Sequence, residues 1–321
     1  MKSSTAIAHP NIALIKYWGK SSITGNIPAM SSISLTVDAL ESKTKISFPN
    51  NLNEDTWILN GSKQSSLERI KMPFNELIKR SNVRDACLIE SDNNFPTAAG
   101  LASSASGIAS LVTALSHALE LELSLKQMIE LTMLGSGSAP RSLFSGFVSL
   151  DVAGDTITCN TILEGNQWPL EVIICVTSSD QKEISSRVGM EISRKTSPLY
   201  DNWIDHHQKD FQTAMAAIQS RNFAQLGAVT VDNCLKMHQV MKTSQPSIDY
   251  WNKTTHAVVQ QVQTLQARGR EVFYTIDAGP QVKIICQPDL TEEVVFEINK
   301  IPGIESIVKC GLGSGARLLN A

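Results

Sequence analysis

The stretch Asn94-Phe95-Pro96-Thr97-Ala98-Ala99-Gly100-Leu101-Ala102-Ser103-Ser104-Ala105-Ser106-Gly107 leads directly into a helical apolar pattern. It has no charged side chain, and after Leu101 it contains only Ala, Ser and Gly. Small residues at a helix start leave the first backbone N–H groups free, where the helix dipole favours negative charge. They also let a phosphate chain approach the backbone, and the hydroxyls of Ser103, Ser104 and Ser106 add donors. The stretch therefore predicts a site for a nucleotide polyphosphate.

The alternative interpretation of this stretch is that its Ala and Ser residues only allow close helix packing. The loop is not a Walker loop, because no Gly-Lys-Ser/Thr follows, and it lacks the G-x-G-x-x-G spacing of dinucleotide sites.

A second small-residue loop, Gly135-Ser136-Gly137-Ser138-Ala139-Pro140-Arg141-Ser142, follows a helical pattern near 123–134. Ser138 suits a helix N-cap and Pro140 a first helical turn. Arg141 then lies in that turn, where a cation opposes the helix dipole, so helix stability does not explain it. A guanidinium beside free N–H groups predicts a site for a carboxylate or a phosphate.

Two lysines stand near the end of the apolar strand candidate 12–15, in Asn11-Ile12-Ala13-Leu14-Ile15-Lys16-Tyr17-Trp18-Gly19-Lys20. If Ile12 and Leu14 face the core, strand alternation also turns Lys16 inward, unless the strand ends before it. A buried lysine without an anionic partner is costly, so Lys16 or Lys20 is a candidate to meet substrate or nucleotide charge. For Lys16 alone, a snorkelling lysine at the strand end is an equal alternative.

Three further segments carry polar candidates. Ser185-Ser186-Arg187 offers hydroxyls and a guanidinium, although a solvated turn explains it better on sequence alone. Asp277 follows the apolar run 272–276, which suits either a carboxylate in a cleft or a turn-capping Asp. His206-His207 has no zinc-ligand spacing around it, so both histidines are predicted to be solvated helix residues.

The pattern of elements predicts an α+β fold of two packed units. Strand signals fill residues 1–60, helical periodicity appears near 65–80, and strands resume between 147 and 176. From about 180 the chain becomes helical, with patterns near 200–240 and 247–267, before strands return. A length of 321 residues suits two domains, here divided as 1–180 and 181–321, within about ten residues.

Composition narrows the class of protein. The chain has 28 basic and 31 acidic residues, a net charge of −3, which argues against general nucleic-acid binding. An anionic ligand therefore requires a local basic cluster. The six cysteines are scattered without a C-x-x-C pair, no signal peptide is visible, and no run approaches about 18 apolar residues. Buried free thiols, no membrane span and a cytoplasmic location are expected.

Five segments, in consistent order along the chain, together resemble the diphosphomevalonate decarboxylase family of the GHMP kinase superfamily: Asn11–Lys20, Asn94–Gly107, Gly135–Phe144, Ser185–Arg187 and Asp277–Lys283. The superfamily shares a P-x-x-x-G-L-x-S-S-A loop, here Pro96–Ala105. The Lys-Tyr-Trp-Gly-Lys and Gly-Ser-Gly-Ser-Ala-x-Arg-Ser pieces point to the decarboxylase branch.

The resemblance implies ATP-dependent decarboxylation of mevalonate diphosphate to isopentenyl diphosphate, with ADP, phosphate and carbon dioxide. It also implies an N-terminal nucleotide-binding domain similar to ribosomal protein S5 domain 2 and a ferredoxin-like C-terminal domain, with the substrate between them. ATP with Mg²⁺ and mevalonate diphosphate are the expected small-molecule partners, and a homodimer is the expected assembly.

The same resemblance assigns roles to residues. Asp277 faces the 3-hydroxyl as a base or an orienting group, Arg141 holds the substrate carboxylate or a phosphate, and Lys20 stabilises the transferring group. Substrate contacts are expected at Tyr17, Lys20, Gly137, Ser138, Arg141, Ser186 and Arg187. The ATP phosphates are expected at Pro96, Ala98, Ala99, Gly100, Leu101, Ala102, Ser103, Ser104 and Ser106. Mg²⁺ bridges the phosphates, and no metal site made of protein ligands is expected.

The chain departs from the family pattern at a few positions near the expected cleft. Ser21 and Ser22 stand where a basic residue and an acid are usual, Met30 where Asn is usual, and Pro140 where Cys or Ala is usual. These departures leave open a decarboxylase for mevalonate monophosphate and a kinase that phosphorylates the 3-hydroxyl and stops. A catalytically silent binding protein of the same fold is a third alternative, which the joint presence of Asp277, Arg141 and Lys20 disfavours.

Overall fold

The computed structural model describes residues 3–21, 26–81, 83, 85–95, 102–154, 156–180 and 182–319, and it confirms the α+β class. The strands and helices in chain order are β1 (Ser4–Ala8), β2 (Asn11–Ile15), β3 (Ser32–Thr36), β4 (Ser42–Ser47), β5 (Thr56–Leu59), β6 (Ser62–Lys63), α1 (Lys71–Ser81), β7 (Leu88–Asn93), α2 (Ser103–Ala118), α3 (Leu125–Gly135), β8 (Phe147–Ala153), β9 (Thr156–Leu163), β10 (Glu171–Val176), α4 (Ser186–Thr196), α5 (Tyr200–Gln219), α6 (Phe223–Lys242), α7 (Lys253–Ala267), β11 (Val272–Ile276), β12 (Val282–Cys286), α8 (Thr291–Ile298), β13 (Ser306–Cys310) and β14 (Arg317–Leu319).

The strands form three sheets, of which two belong mainly to the first half of the chain. Their orders are β14-β1-β4-β7-β5-β6 and β2-β3-β8-β9, and the third sheet is β11-β12-β10-β13. The described strand pairs are antiparallel apart from β5 with β7. Each half contributes a strand to a sheet of the other half. From the second half, β14 pairs with β1. From the first half, β10, which precedes the predicted boundary near 180, pairs with β12 and β13.

A shared core joins the two halves. One buried cluster contains Leu14 and Phe147 from the first half together with Phe211 and Phe273 from the second. Apolar surface buried between elements of different halves favours one fixed arrangement of the cleft between them. The end of β2, where the predicted lysines lie, therefore sits against helices and strands of the second half.

Helix α2 packs against β1 and β4 through its small residues. Ser106 Oγ lies 2.7 Å from Ser42 Oγ, and Ser110 Oγ lies 2.8 Å from Thr44 Oγ1, all in buried surroundings. Small side chains let the helix approach the sheet closely enough for these hydroxyls to pair. The packing interpretation of the quoted stretch therefore holds for the face of α2 that carries Ser106.

Several predicted helix bounds shift for local reasons. Helix α1 begins at Lys71, later than the periodicity near 65 indicated. The pattern 200–240 divides into α5 and α6, because Arg221 adopts a left-handed φ of 53° and Asn222 caps the second helix. The pattern 247–267 begins as a helix at Lys253, after the Asn252 cap. The residues at which these helices begin and end are set by caps and turns, which depend on single residues and not on the spacing of apolar residues.

Two further expectations concern cysteines and membranes. All six cysteines are buried and free, as predicted. In the described part of the chain, no helix is both long enough and apolar enough to cross a membrane.

Candidate active site

A cavity of about 590 Å³ opens where the end of β2, the start of α2, the loop after α3 and the turn after β11 meet. Every described residue that the sequence assigned to a site lines it except Ser106: Tyr17, Lys20, Ala102, Ser103, Ser104, Gly137, Ser138, Arg141, Ser186, Arg187 and Asp277. The other predicted loop residues, and one of the departures from the family pattern, lie outside the described residues: Pro96, Ala98, Ala99, Gly100, Leu101 and Ser22.

Asp277 lies between two buried lysines. Its Oδ1 is 2.7 Å from Lys16 Nζ and its Oδ2 is 3.1 Å from Lys283 Nζ. Both lysines are 1% exposed, whereas the Asp277 side chain is 23% exposed and faces the cavity. Burial raises the pKa of Asp277, but the two ammonium groups outweigh burial and hold that pKa well below its usual range. The carboxylate therefore stays ionised at neutral pH and accepts hydrogen bonds from whatever enters.

The pairing of Lys16 decides between the two interpretations of that residue. Lys16 is buried rather than snorkelling, and its Nζ also donates to Ala13 O at 2.9 Å. Its anionic partner is a residue of the protein, so Lys16 acts on the cavity through Asp277. Asp277 is accordingly a cleft carboxylate, not a turn cap.

Arg141 is a buried cation without a carboxylate partner among the described residues. It is 2% exposed, its Nε donates to Asn11 Oδ1 at 3.1 Å, and one guanidinium N–H donates to Ser32 Oγ. Burial lowers the pKa of Arg141, but a guanidinium remains charged in proteins. Because a buried unpaired charge is costly, this arrangement suits a site that an anionic group completes.

The loop that carries Arg141 differs locally from the prediction. Residues Ala139–Leu143 form a short 3₁₀ helix, with Pro140 in its first turn as expected. Ser138 occupies the N-cap position, as predicted, but its side chain makes no capping bond among the described residues. Its hydroxyl instead lies 3.1 Å from Ser136 Oγ and faces the cavity. Ser138 is therefore available to a ligand.

Lys20 and Arg187 form a further cationic group on the cavity surface. Lys20 Nζ donates to Asn26 Oδ1 at 2.7 Å, and Arg187 donates to the same oxygen at 3.4 Å. Asn26 is itself held by donation from its Nδ2 to Leu134 O at 2.7 Å. One neutral oxygen thus holds two cations side by side, and the pKa of Lys20 is lowered by burial and by the charge of Arg187. Such a pair favours a ligand that brings more than one negative charge.

Gly137 allows the cavity wall to close over Tyr17. A Cβ placed on Gly137 would lie 2.7 Å from the Tyr17 hydroxyl oxygen and 2.8 Å from Asn26 O, so no larger residue fits. Burial raises the pKa of Tyr17 well above its usual range, and the phenol therefore remains a neutral donor. Tyr17, Gly137 and Asn26 form one tightly packed side of the cavity.

The start of α2 faces the cavity without a side-chain cap. Ala102 precedes the helix with a φ of 56° and makes no side-chain capping bond, while Ser103 and Ser104 lie on the cavity surface. Backbone N–H groups and the dipole at such a helix start favour a negatively charged ligand. Ser106 does not line the cavity with them, because its hydroxyl is buried and pairs with Ser42; its contact with ATP stays a prediction that this geometry does not favour.

Sequence reasoning missed Lys182, which also lines the cavity. Its Nζ donates to Ser186 Oγ at 2.7 Å and to Ala278 O at 2.9 Å, and it lies 5.6 Å from the centroid of the Tyr250 ring. Burial lowers the pKa of Lys182 to about 8, with the charge of Asp277 opposing that shift. A lone lysine in the charged stretch 180–187 carries no pattern that distinguishes it from a solvated one; only its proximity to Ala278 does.

The structure changes the expectations for Met30 and His207. Met30, at a position that is usually Asn, is buried in an apolar cluster with Trp18 and Trp203, so this departure belongs to the core. His207 is buried rather than solvated, and its ring lies 2.7 Å from Ser31 O; burial lowers the pKa of His207 to about 4. His206 is exposed, as expected, and the described residues contain no cluster of three potential metal ligands.

The cavity is locally basic in a chain whose net charge is −3. Lys20, Lys182, Arg141 and Arg187 line it beside the ion pair of Lys16 with Asp277. It can bind several anionic groups at once and hold them against the carboxylate of Asp277. This is the local basic cluster that the sequence required of any anionic ligand.

Comparison with known proteins places this geometry in a family. The model of the diphosphomevalonate decarboxylase-like N-terminal domain matches residues 8–161, and the mevalonate 5-diphosphate decarboxylase C-terminal domain matches residues 172–311. A diphosphomevalonate decarboxylase of Candida albicans is 34% identical over 98% of this chain and 97% of its own length.

Solved structures give the same result. The mevalonate diphosphate decarboxylase of Staphylococcus aureus superposes with a TM-score of 0.92 at 36% identity, covering 99% of this chain and 98% of that one. A structure described as MDDEF in complex with MVAPP, AMPPCP and magnesium superposes with a TM-score of 0.91 at 35% identity, covering 99% of both chains. The two-domain GHMP kinase fold implied by the sequence resemblance is confirmed by these matches.

Proposed function

This chain belongs to the diphosphomevalonate decarboxylase family, and we propose that it catalyses the ATP-dependent decarboxylation of mevalonate 5-diphosphate to isopentenyl diphosphate, releasing ADP, phosphate and carbon dioxide. The observation that carries the proposal is the ionised Asp277, held between Lys16 and Lys283. The same cavity holds Arg141, which has no carboxylate partner among the described residues, and the start of α2, which has no side-chain cap.

ATP is proposed to lie with its phosphates at the start of α2. The N–H groups of that first turn and the hydroxyls of Ser103 and Ser104 supply donors, and small side chains let the phosphates approach. Pro96, Ala98, Ala99, Gly100, Leu101 and Ala102 complete the proposed loop.

Magnesium is proposed to arrive with the nucleotide. The hydroxyls of Ser103 and Ser104, which line the cavity, would help to hold a Mg²⁺ ion that arrives bound to the nucleotide. When bound, the ion neutralises phosphate charge. A solved relative is in complex with MVAPP, AMPPCP and magnesium, which supports ATP and Mg²⁺ as the cofactors.

The substrate is proposed to place its tertiary hydroxyl at Asp277. An ionised carboxylate orients that hydroxyl by accepting its hydrogen bond. The γ-phosphoryl group is transferred to the hydroxyl oxygen as its bond to ADP breaks, and the hydroxyl proton passes to the carboxylate late in the transfer. The low pKa of Asp277 makes it a weak base, so orientation is its main contribution; loose phosphoryl transfer needs positioning more than early proton removal.

Departure of phosphate then breaks the bond between C3 and its oxygen, and loss of the carboxylate as carbon dioxide supplies the electron pair of the alkene. Arg141 is proposed to hold the substrate carboxylate, since its planar guanidinium is buried and has no carboxylate partner among the described residues. Lys20 and Lys182 are proposed to stabilise negative charge on the transferring group.

The substrate diphosphate is proposed to lie against Lys20, Arg187 and Ser186, with Tyr17, Gly137 and Ser138 along the same wall. Two adjacent cations favour a diphosphate over a monophosphate, because each charge-assisted hydrogen bond contributes about 1.5–3 kcal/mol.

One assay tests the proposal. Purified protein is incubated with ATP, Mg²⁺ and either mevalonate phosphate or mevalonate diphosphate, and ADP and carbon dioxide are both measured. We expect carbon dioxide to equal ADP, with faster turnover of the diphosphate. ADP without carbon dioxide would identify a 3-kinase, and faster turnover of the monophosphate would identify the related decarboxylase.

Three further properties are proposed with the function. A cytoplasmic location accords with six buried free thiols. A homodimer is expected from the family resemblance, and sedimentation velocity tests it. Domains of residues 1–180 and 181–321 are proposed, with β10 as the strand that the N-terminal domain contributes to the sheet β11-β12-β10-β13.

A further inference from the structure

Helix α6 contacts the backbone on both sides of the ion pair between Lys16 and Asp277. Asn233 Oδ1 accepts the backbone N–H of Lys16 at 2.8 Å. The next residue, Cys234, lies with its Sγ 3.2 Å from the backbone N of Ile276, the residue before Asp277. Two consecutive helix residues therefore hold the two strand ends that carry the pair.

The amide of Asn233 can adopt only one orientation. Its Nδ2 donates to Asp210 Oδ2 on α5 at 2.9 Å, and an ionised carboxylate can only accept. The Asn233 oxygen must therefore face Lys16. Asp210 is held in turn by Lys236, whose Nζ lies 3.0 Å from Oδ2 and 3.1 Å from Oδ1.

These groups are buried and remote from the cavity surface. Asn233 is 0% exposed and Asp210 is 7% exposed, and neither lines the cavity. We infer that Asn233 is a positioning residue for the proposed reaction: oriented by Asp210, it sets the place of Lys16 and so of the Asp277 carboxylate. This inference deepens the proposed function and rests on it for its kinetic consequence.

The test begins with Asn233→Asp, which keeps the size of the side chain. The new carboxylate still accepts from the Lys16 N–H but faces Asp210 with an acceptor, and the two carboxylates repel each other. We expect kcat for carbon dioxide release to fall by about a hundredfold, the typical cost of a misplacement near 1 Å, with KM for ATP and mevalonate diphosphate little changed.

A second substitution restores the pairing of a hydrogen-bond donor with an acceptor between positions 210 and 233. In the double variant Asn233→Asp/Asp210→Asn, the amide at 210 donates to the carboxylate at 233, which accepts from Lys16 as before. We expect kcat to recover to within about tenfold of the unsubstituted chain. Thr230→Val is the control on the same helix, since Thr230 is also 0% exposed and its hydroxyl has no partner among the described residues.

A readout without substrate separates this inference from the proposed function. The Asp277 carboxyl is followed by ¹³C NMR during acid titration, with Asp277→Asn for assignment. Among the described residues, the charged groups that act on it include Lys16, Lys283, Lys182 and Arg141, while Cys234 and His238 contact the backbone of the preceding residue, Ile276. Displacement of Lys16 in Asn233→Asp should raise the titration midpoint, and the double variant should lower it again.

The outcomes are distinct. A raised midpoint and a reduced kcat, both reversed in the double variant, support the inference. An unchanged midpoint overturns it, as does a double variant no better than the single one. If the unsubstituted chain releases no carbon dioxide but the midpoint still shifts and recovers, the proposed function fails while the positioning of Asp277 by Asn233 stands.

Discussion

Replacing Asp277 with Asn removes the negative charge that lies between two buried ammonium groups while preserving size. The carboxylate oxygens lie 2.7 Å from Lys16 Nζ and 3.1 Å from Lys283 Nζ, and each lysine is 1% exposed. Breaking a buried ion pair by removing one partner costs about 3–5 kcal/mol, because the remaining charge is uncompensated. We therefore expect Asp277→Asn to lower the free energy of unfolding by this amount at pH 7.

The stability deficit should depend on pH in a defined direction. In the folded variant, Lys283 stays buried but loses the carboxylate that opposed the lowering of its pKa, so its pKa falls further. The folded state then binds fewer protons than the unfolded state, and the free energy of unfolding rises with pH. The deficit relative to the unsubstituted chain should be larger at pH 7 than at pH 9, as measured by urea denaturation.

Asp277→Asn should also lower the rate of carbon dioxide release, for a reason separate from stability. The side-chain amide in Asp277→Asn still reaches the substrate hydroxyl but lacks the charge that orients it, and a misplaced reacting group costs about a hundredfold in rate. The assay is carbon dioxide release at saturating ATP. Asp249→Asn is the matched control, since Asp249 pairs with Lys242 at 3.2 Å on the exposed surface, where an ion pair contributes little. Near-normal turnover together with unchanged unfolding in Asp277→Asn would contradict the role assigned to this carboxylate.

Three other substitutions test the cavity. Arg141→Lys keeps a charge but loses the planar fork, so kcat/KM for the diphosphate should fall by about 10- to 150-fold; an unchanged value would remove Arg141 from the site. Ser104→Leu should raise KM for ATP, because a bulky side chain at the start of α2 blocks the approach of the phosphates. The melting temperature should not change, because Ser104 is exposed. Ala105 is unsuited to the same test, because it is 0% exposed. Burial lowers the pKa of Lys182 to about 8, so kcat should decline as pH rises through about 8. Lys182→Arg should move that decline to higher pH, because a guanidinium stays charged. An identical pH profile of kcat in both proteins would assign the decline to another group.

Local chemistry explains which parts of the site were predictable. The small residues before α2 and the isolated Arg141 violate the usual preferences of a helix start, and such violations are visible in a sequence. The α+β class also followed from periodicity, since apolar spacing reflects one element at a time. Even so, the two faces of α2 could not be distinguished: Ser104 faces the cavity and Ser106 packs on Ser42.

The remaining features depend on contacts between distant parts of the chain. Lys16 and Asp277 are 261 positions apart, and no local pattern states that the end of β2 meets the end of β11. Lys182 looks like any charged residue until its proximity to Ala278 is known.

Residue type and local spacing were enough to predict the class of fold, the small-residue phosphate loop and the supply of cations for anionic ligands. The packed molecule was needed to show that Lys16 pairs with a protein carboxylate, that Arg141 has no such partner among the described residues, and that Asn233 faces Lys16. Burial and charge pairing set the protonation and orientation of these groups, and both depend on which elements pack together.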